Sequence, residues 1–313
     1  MRAIEMNEQG QFAMVDAGDP RLDSPGLLVG VKAVSINRGE VLRARMAAAG
    51  FRPGWDFAGV VLDKTGKVGP PVGASVAGYV PSGGWAEKLV IPPRQVAQIP
   101  AGIDFNRAAS LPVAGLTALG AIDAGGNLAG RNVLVTGATG GVGSFAVQLA
   151  ALSGAQVTAV VRRSVAECRA MFPADMQIVS ATGGLGGAGQ HGPFDLIVET
   201  LGGQTLGEAM ALLTHSGKCV TLGVTDQAQT TFNAEQFFMA GAASLEGFVL
   251  FRDRRATPAE GMARLLRLLA GGRLNVEIGL TEPWENIEAA AEKLIAREFL
   301  GKAVLTVARA GDG

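Results

Sequence analysis

Short apolar runs alternate with polar positions over residues 1–115, and glycine or proline interrupts each run. Short apolar runs bounded by turn residues predict β-strands rather than helices. The predicted strands have the sequences GLLVGVKAVSI, DFAGVVLD, ASVAGYV and AEKLVIP. We therefore expect a compact β-rich domain in this part of the chain.

The pattern changes beyond residue 115, where apolar strands alternate with helical segments. NVLVTG predicts a strand, VGSFAVQLAALSG a helix closed by Gly154, and QVTAVV a second strand. FDLIVET and GKCVTLG predict further central strands, and the glycine-rich ATGGLGGAGQHG predicts a loop. Alternating strands and helices are typical of βαβ units, so we expect α/β structure with a parallel sheet.

Two helices and a closing strand are predicted near the C-terminal end. The stretch TPAE is a capping box with proline at the first helical position, and it opens a helix through GMARLLRLLAGG. PWENIEAAAEKLIARE predicts the second helix, and GKAVLTV predicts the strand.

Composition and charge narrow the classes of function. The chain has 313 residues, a formal net charge of −1, two cysteines and two histidines. The small charge argues against nucleic acid or an anionic membrane as partner. The few cysteines and histidines argue against a disulfide framework or a multi-ligand metal site. The N-terminus lacks a signal-peptide layout, and no apolar run approaches the ~20 residues that span a bilayer. We expect a cytoplasmic protein with a small-molecule substrate.

The stretch TGATGGVG, between a predicted strand and a predicted helix, is suited to holding a phosphate. Aligned to the dinucleotide fingerprint G-x-G-x-x-G, it has Ala138 in place of the first glycine, followed by Gly140 and Gly143. The flanking strand and helix favour a pyrophosphate site over an ordinary glycine-rich turn, because the helix N-terminus offers free N–H groups. The predicted contacts are Thr139, Gly140, Gly141 and Val142.

The next predicted strand ends in VVRR, where NAD-binding proteins usually carry an acidic residue. Here Arg162, Arg163 and Ser164 occupy this place. Guanidinium groups form charge-assisted hydrogen bonds with a 2′-phosphate, whereas a carboxylate would repel it. The sequence therefore predicts NADPH rather than NADH, and the alternative is a pair of solvated surface arginines.

The same loop also fits the T-G-x-x-x-G-x-G pattern of short-chain dehydrogenases. Those proteins carry the loop near the N-terminus and a Tyr-x-x-x-Lys motif after it. Here about 130 residues precede the loop, and the only tyrosine, Tyr79, lies upstream with Gly83 four residues on. The short-chain interpretation therefore fails.

The chain resembles the medium-chain dehydrogenase/reductase superfamily, and within it the zinc-independent quinone oxidoreductase-like branch. The resemblance is carried by VKAVSINRGEVL, GWDFAGVV, GGWAEKLVIP, AASLPVAGLTALGAI, the phosphate loop, FDLIVETLGG and GKAVL, in this order. It implies a GroES-like β-barrel domain over residues 1–115 with 252–313 returning to it, and a Rossmann domain over residues 116–251. It also implies an active site in the cleft between the domains and a homodimer.

Zinc-dependent members of this superfamily hold a catalytic metal, and by motif the ligand positions are occupied here by Asn37, Trp55 and Val113. None of the three is a plausible zinc ligand. We therefore expect no metal, and simple alcohol oxidation becomes a poor candidate. Hydride transfer without a metal favours an electron-poor acceptor such as a quinone or an α,β-unsaturated carbonyl compound.

The resemblance also implies roles for individual residues. Asn37 stands at a position that faces nicotinamide and substrate, although it could equally be a turn asparagine bonded to its own backbone. Glu40 and Asp56 could position a water molecule or an arginine, or could be structural carboxylates. The remaining cofactor contacts implied by motif are Thr117, Thr200, Leu201, Leu222, Gly223, Phe248 and Val249.

The sequence thus predicts an NADPH-dependent, zinc-independent reductase of quinones or activated carbonyl compounds. One alternative is a 2-enoyl thioester or enone reductase. Another is an NADPH-binding module without turnover, since no proton donor is evident from the residues.

Overall fold

The computed structural model describes residues 1–23, 25–253 and 257–307. The strands are β1 (Arg2–Met6), β2 (Phe12–Asp16), β3 (Leu27–Ile36), β4 (Asp56–Lys64), β5 (Ser75–Tyr79), β6 (Lys88–Ile91), β7 (Val96–Gln98), β8 (Asn132–Val135), β9 (Gln156–Val161), β10 (Gln177–Ser180), β11 (Phe194–Glu199), β12 (Leu213–Thr221), β13 (Ser244–Gly247), β14 (Ile278–Pro283) and β15 (Lys302–Thr306). The helices are α1 (Arg38–Arg45), α2 (Phe105–Ala109), α3 (Pro112–Ala124), α4 (Gly141–Leu152), α5 (Val165–Cys168), α6 (Gly203–Met210), α7 (Ala234–Met239), α8 (Pro258–Ala270) and α9 (Ile287–Ala296).

The chain divides into two compact units. The first comprises residues 1–116 with the described part of 254–313, and the second comprises residues 117–253. No helix in the described ranges is both long and apolar enough to cross a membrane.

The first unit is built on a seven-stranded sheet. Its strand order is β14-β15-β3-β4-β5-β7, with β6 paired to β3, and β1 and β2 form a separate antiparallel pair. The core beneath is apolar and includes the buried Trp85 and Trp284. β3 lies between β15 and β4 and runs antiparallel to both. The C-terminal end of β3 therefore meets the N-terminal ends of β4 and β15 at one edge.

The second unit is built on a six-stranded parallel sheet in the order β10-β9-β8-β11-β12-β13. α4 connects the neighbouring parallel strands β8 and β9, which makes the βαβ unit predicted from the sequence. Because all strands point the same way, the segments after β8, β9, β11 and β12 emerge at the same end of the strands, which we call the carboxyl edge of the sheet. The prediction of α/β structure with a Rossmann-type parallel sheet is confirmed.

Three sequence-based boundaries need correction. The strand predicted from GKCVTLG begins earlier, at Leu213. The glycine-rich stretch 181–192 is not all loop, because Gly186–His191 forms a 3-10 helix. The helix predicted from PWENIEAAAEKLIARE begins only at Ile287, since Pro283 ends β14 and Trp284–Asn286 forms a 3-10 turn.

Candidate functional site

A polar cluster, buried except for its half-buried asparagine, lies at the edge of the first unit's sheet where β15, β3 and β4 meet. We call it the Lys302 cluster, and its members are Ser35, Asn37, Glu40, Asp56 and Lys302. Lys302 opens β15, Asn37 directly follows β3, and Asp56 opens β4. The sheet order thus brings together side chains that are far apart along the chain.

Hydrogen bonds engage both polar atoms of the Asn37 amide. Lys302 Nζ donates to Asn37 Oδ1 at 2.7 Å. Asn37 Nδ2 donates to Asp56 Oδ2 at 2.9 Å and to Glu40 Oε2 at 3.4 Å. The amide is therefore held in one orientation by three neighbouring side chains. Asn37 also caps helix α1, where its backbone N–H donates to Glu40 Oε2 at 3.1 Å.

Asp56 links the cluster to the rest of the unit. Its Oδ2 accepts from Ser35 Oγ at 3.2 Å, and its Oδ1 accepts from the backbone N–H of Val113 at 2.8 Å. The second bond lies in the first turn of α3, where N–H groups lack partners within the helix. Lys302 Nζ stands 3.6 Å from Asp56 Oδ2, and both side chains are almost fully buried.

The cluster contains one ammonium group and two carboxyl groups in an apolar environment. Burial, together with the nearby charge of Asp56, raises the pKa of Glu40 well above its ordinary value. Burial also raises the pKa of Asp56, which the Lys302 charge opposes. Burial lowers the pKa of Lys302, which both carboxylates oppose. One ammonium can neutralise one carboxylate, so this arrangement favours an ionised Asp56 paired with Lys302 and a protonated Glu40.

The residues at the family's zinc-ligand positions do not fit a metal. Val113 has no donor atom in its side chain, and Trp55 Nε1 donates to the carbonyl oxygen of Pro81 at 3.1 Å. The amide oxygen of Asn37 accepts from Lys302 instead. Across 1–23, 25–253 and 257–307, no group of three or more His, Cys, Asp or Glu side chains could hold a metal ion.

The phosphate loop of the second unit joins β8 to α4. Gly137 has a positive φ of 58°, and Gly140 is the N-cap of α4, which begins at Gly141. A Cβ atom at Gly143 would lie 2.2 Å from the carbonyl oxygen of Gly137, so only glycine allows this approach of helix and loop. The first-turn N–H groups of α4 have no partners within the helix, and they would face an anion with the positive end of the helix dipole. The loop thus has the backbone geometry of a pyrophosphate cradle.

Glu199, at the end of β11, ties this loop to the neighbouring strand. Its Oε1 accepts from Thr136 Oγ1 at 3.1 Å and from the N–H of Leu201 at 2.7 Å, and its Oε2 accepts from the N–H of Gly202 at 3.0 Å. Thr200 N–H donates to Thr136 Oγ1 at 2.9 Å, and Thr200 Oγ1 donates to the Thr136 carbonyl oxygen at 3.0 Å. Sequence reasoning did not identify Glu199 or Thr136 as site residues. The available signal was a carboxylate that ends an otherwise apolar central strand.

The residues after β9 stand at the same edge of the sheet. The guanidinium of Arg162 forms an ion pair with Asp226, a residue of the segment after β12. Ser164 caps α5: its Oγ donates to Glu167 Oε2 at 2.7 Å and accepts from the N–H of Glu167 at 3.3 Å. Hydrogen bonds from Ser164, and to a smaller extent the charge of Arg163, lower the pKa of Glu167. The hydroxyl of Ser164 thus already has a structural role.

The other predicted cofactor residues fall into two places. Thr200, Leu201, Leu222 and Gly223 directly follow β11 and β12, so they join the loop at the C-terminal edge. Thr117 is buried within α3, and Phe248 is buried with its ring against Gly120 of the same helix. Val249 is 53% exposed.

Comparison with known proteins agrees with this architecture. Residues 173–305 match the sequence model of a family described as zinc-binding dehydrogenase. The chloroplast envelope quinone oxidoreductase homolog of Arabidopsis thaliana is 30% identical over 268 residues, which are 81% of this chain and 79% of that protein. The spectinabilin polyketide synthase system protein NorB of Streptomyces orinoci is 32% identical over 300 residues, which are 92% of this chain but 13% of that much longer protein.

A solved structure supports the same assignment. The quinone oxidoreductase of Thermus thermophilus, also solved in complex with NADPH, superimposes with a TM-score of 0.83 at 28% identity, covering 98% of this chain and 100% of that one. These likenesses extend over both units described above. The chain therefore belongs to the medium-chain dehydrogenase/reductase superfamily, in its quinone oxidoreductase-like branch.

Proposed function

We propose that this oxidoreductase uses NADPH to reduce a quinone or an α,β-unsaturated carbonyl compound. The observation that carries the proposal is the pyrophosphate cradle at the N-terminus of α4, together with two arginines near it. These arginines directly follow β9, the strand that neighbours β8 in the sheet. The Thermus relative, solved with NADPH, and the Arabidopsis quinone oxidoreductase homolog support the cofactor and the acceptor class.

In this proposal each group of residues has its own task. The first-turn N–H groups of α4 bind the pyrophosphate, and Arg162 and Arg163 bind the 2′-phosphate. Glu199 holds the segments after β8 and β11 in place by hydrogen bonds to Thr136 and Leu201. The bound cofactor supplies a hydride from nicotinamide C4, which an electron-poor acceptor takes up together with a proton.

The Lys302 cluster is assigned a positioning task. Its ammonium and carboxyl groups fix the amide of Asn37 and anchor the start of α3 through Asp56. We assign Glu40 and Asp56 to this framework, and Asn37 as the cluster member that orients cofactor or substrate. Because the zinc-ligand positions do not fit a metal, no step of the proposed reaction passes through one.

Turnover distinguishes this proposal from its rivals. NADPH absorbance is followed with a panel of naphthoquinones, enones and crotonyl thioesters, and with NADH as the matched cofactor control. We expect NADPH absorbance to fall in the presence of quinones or enones, and to fall faster than NADH absorbance under the same conditions. Cofactor binding with no absorbance loss on any acceptor would instead identify a binding module without catalysis.

A second candidate is reduction of a 2-enoyl thioester in the same site. The likeness to the polyketide synthase system protein NorB over 92% of this chain favours it. Preference for the crotonyl thioester over every quinone and simple enone, judged by kcat/KM, would replace the first candidate by the second.

We also propose that the protein is a homodimer joined through β13. This strand is the outermost strand of the parallel sheet, next to β12. Leu245 on β13 is 45% exposed, and Val249 after it is 53% exposed. An open strand edge with exposed apolar side chains favours pairing with a second copy. Light scattering should give twice the chain mass, and Leu245→Lys should give a monomer. A monomeric wild-type protein would contradict the proposal.

A further inference from the structure

The ion pair between Arg162 and Asp226 connects segments from strands that are not neighbours. Arg162 directly follows β9, and Asp226 follows β12, while β8 and β11 lie between these strands in the sheet. The pair is possible because the segment after β12 turns back across the end of β11. There the Asp226 N–H donates to the Leu201 carbonyl oxygen at 2.9 Å, and Gly202 pairs with Gln227.

The position of Asp226 places a carboxylate at the same edge as the phosphate loop. Burial and, to a smaller extent, the charge of Asp226 raise the pKa of Glu199, whose side chain bonds the loop residue Thr136. In the sheet, β8 lies between β9, which Arg162 follows, and β11, at whose end the Asp226 backbone is bound, and the phosphate loop begins at the end of β8.

A 2′-phosphate and the Asp226 carboxylate would compete for one guanidinium. Arg162 offers its N–H donors in a planar fork, and Asp226 already accepts from one of them. A phosphate that binds Arg162 must either displace this carboxylate or lie next to it, and two anions in proximity repel each other. NADH has no 2′-phosphate and escapes this competition.

We propose that Asp226 is a specificity-determining residue, which competes with the 2′-phosphate for Arg162 and thereby reduces the preference for NADPH over NADH. The inference rests on the proposed function, because it assumes a nicotinamide dinucleotide at this edge. The side chains of Arg162 and Asp226 are 51% and 33% exposed, and exposed pairs contribute little to stability. Their replacement should therefore leave the protein folded.

The test is the variant Asp226→Asn, which keeps the side-chain shape and removes the charge. Calorimetry measures the Kd of NADPH and NADH, and of the fragments adenosine 2′,5′-bisphosphate and 5′-AMP, which differ by the 2′-phosphate. We expect NADPH and the bisphosphate to bind about two- to tenfold more tightly, with NADH and 5′-AMP unchanged. The gain should shrink at high salt, because exposed charges are screened.

Two further variants make the result specific. Glu246→Gln removes the Lys218–Glu246 pair of similar exposure on the same sheet, and it should leave all four affinities unchanged. In the Arg162→Ala background, Asp226→Asn should improve NADPH binding less, because the guanidinium for which the carboxylate competes is gone and only the direct repulsion between the two anions is relieved. Unchanged or weaker NADPH binding by Asp226→Asn alone would overturn the inference while the proposed function stands. Failure of the wild type to bind either dinucleotide would overturn both.

Discussion

The polar groups of the two units differ in how deeply they are buried and in which partners they have. In the first unit, the charged side chains of the Lys302 cluster are buried, and other side chains of the protein pair with them. In the second unit, the carboxyl edge of the parallel sheet combines a backbone cradle with an arginine that is half exposed and paired with an exposed carboxylate. A buried network whose polar groups bond to one another suits the positioning of a group. Exposed groups whose protein partners can be displaced by a ligand suit the binding of that ligand. The following variants test this contrast.

The largest effect should come from Lys302→Met, which keeps the length of the side chain and removes its charge. Asp56 and the Asn37 amide oxygen then lose their cationic partner in a buried site. Breaking a buried pair in this way costs about 3–5 kcal/mol of unfolding free energy. Denaturant unfolding measures the loss, with Lys218→Met as the control from a partly exposed pair. Equal stabilities of the two variants would remove the distinction between buried and exposed charge.

The arginine pair should affect binding rather than stability. Replacing Arg162 and Arg163 by alanine should weaken NADPH binding by roughly 1–3 kcal/mol for each charged hydrogen bond lost, and spare NADH. Calorimetry with both cofactors measures this. The control is Arg131→Ala, which removes an ion pair with Asp195 at the amino-terminal ends of β8 and β11, away from the phosphate loop. Equal losses for both cofactors would contradict the 2′-phosphate assignment.

Gly143→Ala should disturb the cradle itself. The new methyl group would meet the Gly137 carbonyl oxygen at 2.2 Å, so α4 must shift away from the loop. Overpacking of this kind costs about 1–3 kcal/mol, and affinity for NADPH and NADH should fall together. Thermal unfolding and calorimetry measure the two effects. Gly186→Ala, where a Cβ would meet no atom within 4 Å, should change neither.

The smallest effect concerns pH. Because burial raises the pKa of Glu40 in the folded protein, its contribution to stability is present at low pH and is lost as pH rises from 4.5 through the raised pKa. Glu40→Gln does not titrate, so its stability relative to wild type should rise as the pH increases above about 4.5. Unfolding at several pH values checks this, with the exposed Glu8→Gln as control. A pH-independent difference would show that Glu40 ionises normally.

The strand, turn and helix of the phosphate loop were predictable because their determinants are local. A strand, a glycine turn and a helix N-terminus follow one another within TGATGGVG and its flanks, and the structure has Gly140 at the N-cap and α4 from Gly141. The capping box at Thr257 was readable for the same reason. Where a helix began after a strand, as at Ile287, the apolar pattern extended through the junction and obscured the boundary.

The residues that sequence reasoning missed depend on distant partners. Lys302 bonds Asn37 across 265 positions of the chain, and Glu199 bonds Thr136 across 63. Neither pairing leaves a local pattern, because each arises from the order of strands in a sheet. Asp226 was missed for a similar reason, since only the return of its segment across the end of β11 brings it to Arg162.

By itself, the order of residues determined the α/β class, the glycine loop between a strand and a helix N-terminus, and the absence of suitable zinc ligands at the family's positions. Those features follow from side-chain type and near-neighbour spacing. Only the tertiary structure decided which charges neutralise one another, because burial and proximity set the cost of a charge, and neither is a property of sequence distance. It therefore showed that Lys302 holds the amide of Asn37, and that Arg162, which the sequence predicts to bind a 2′-phosphate, is paired with Asp226.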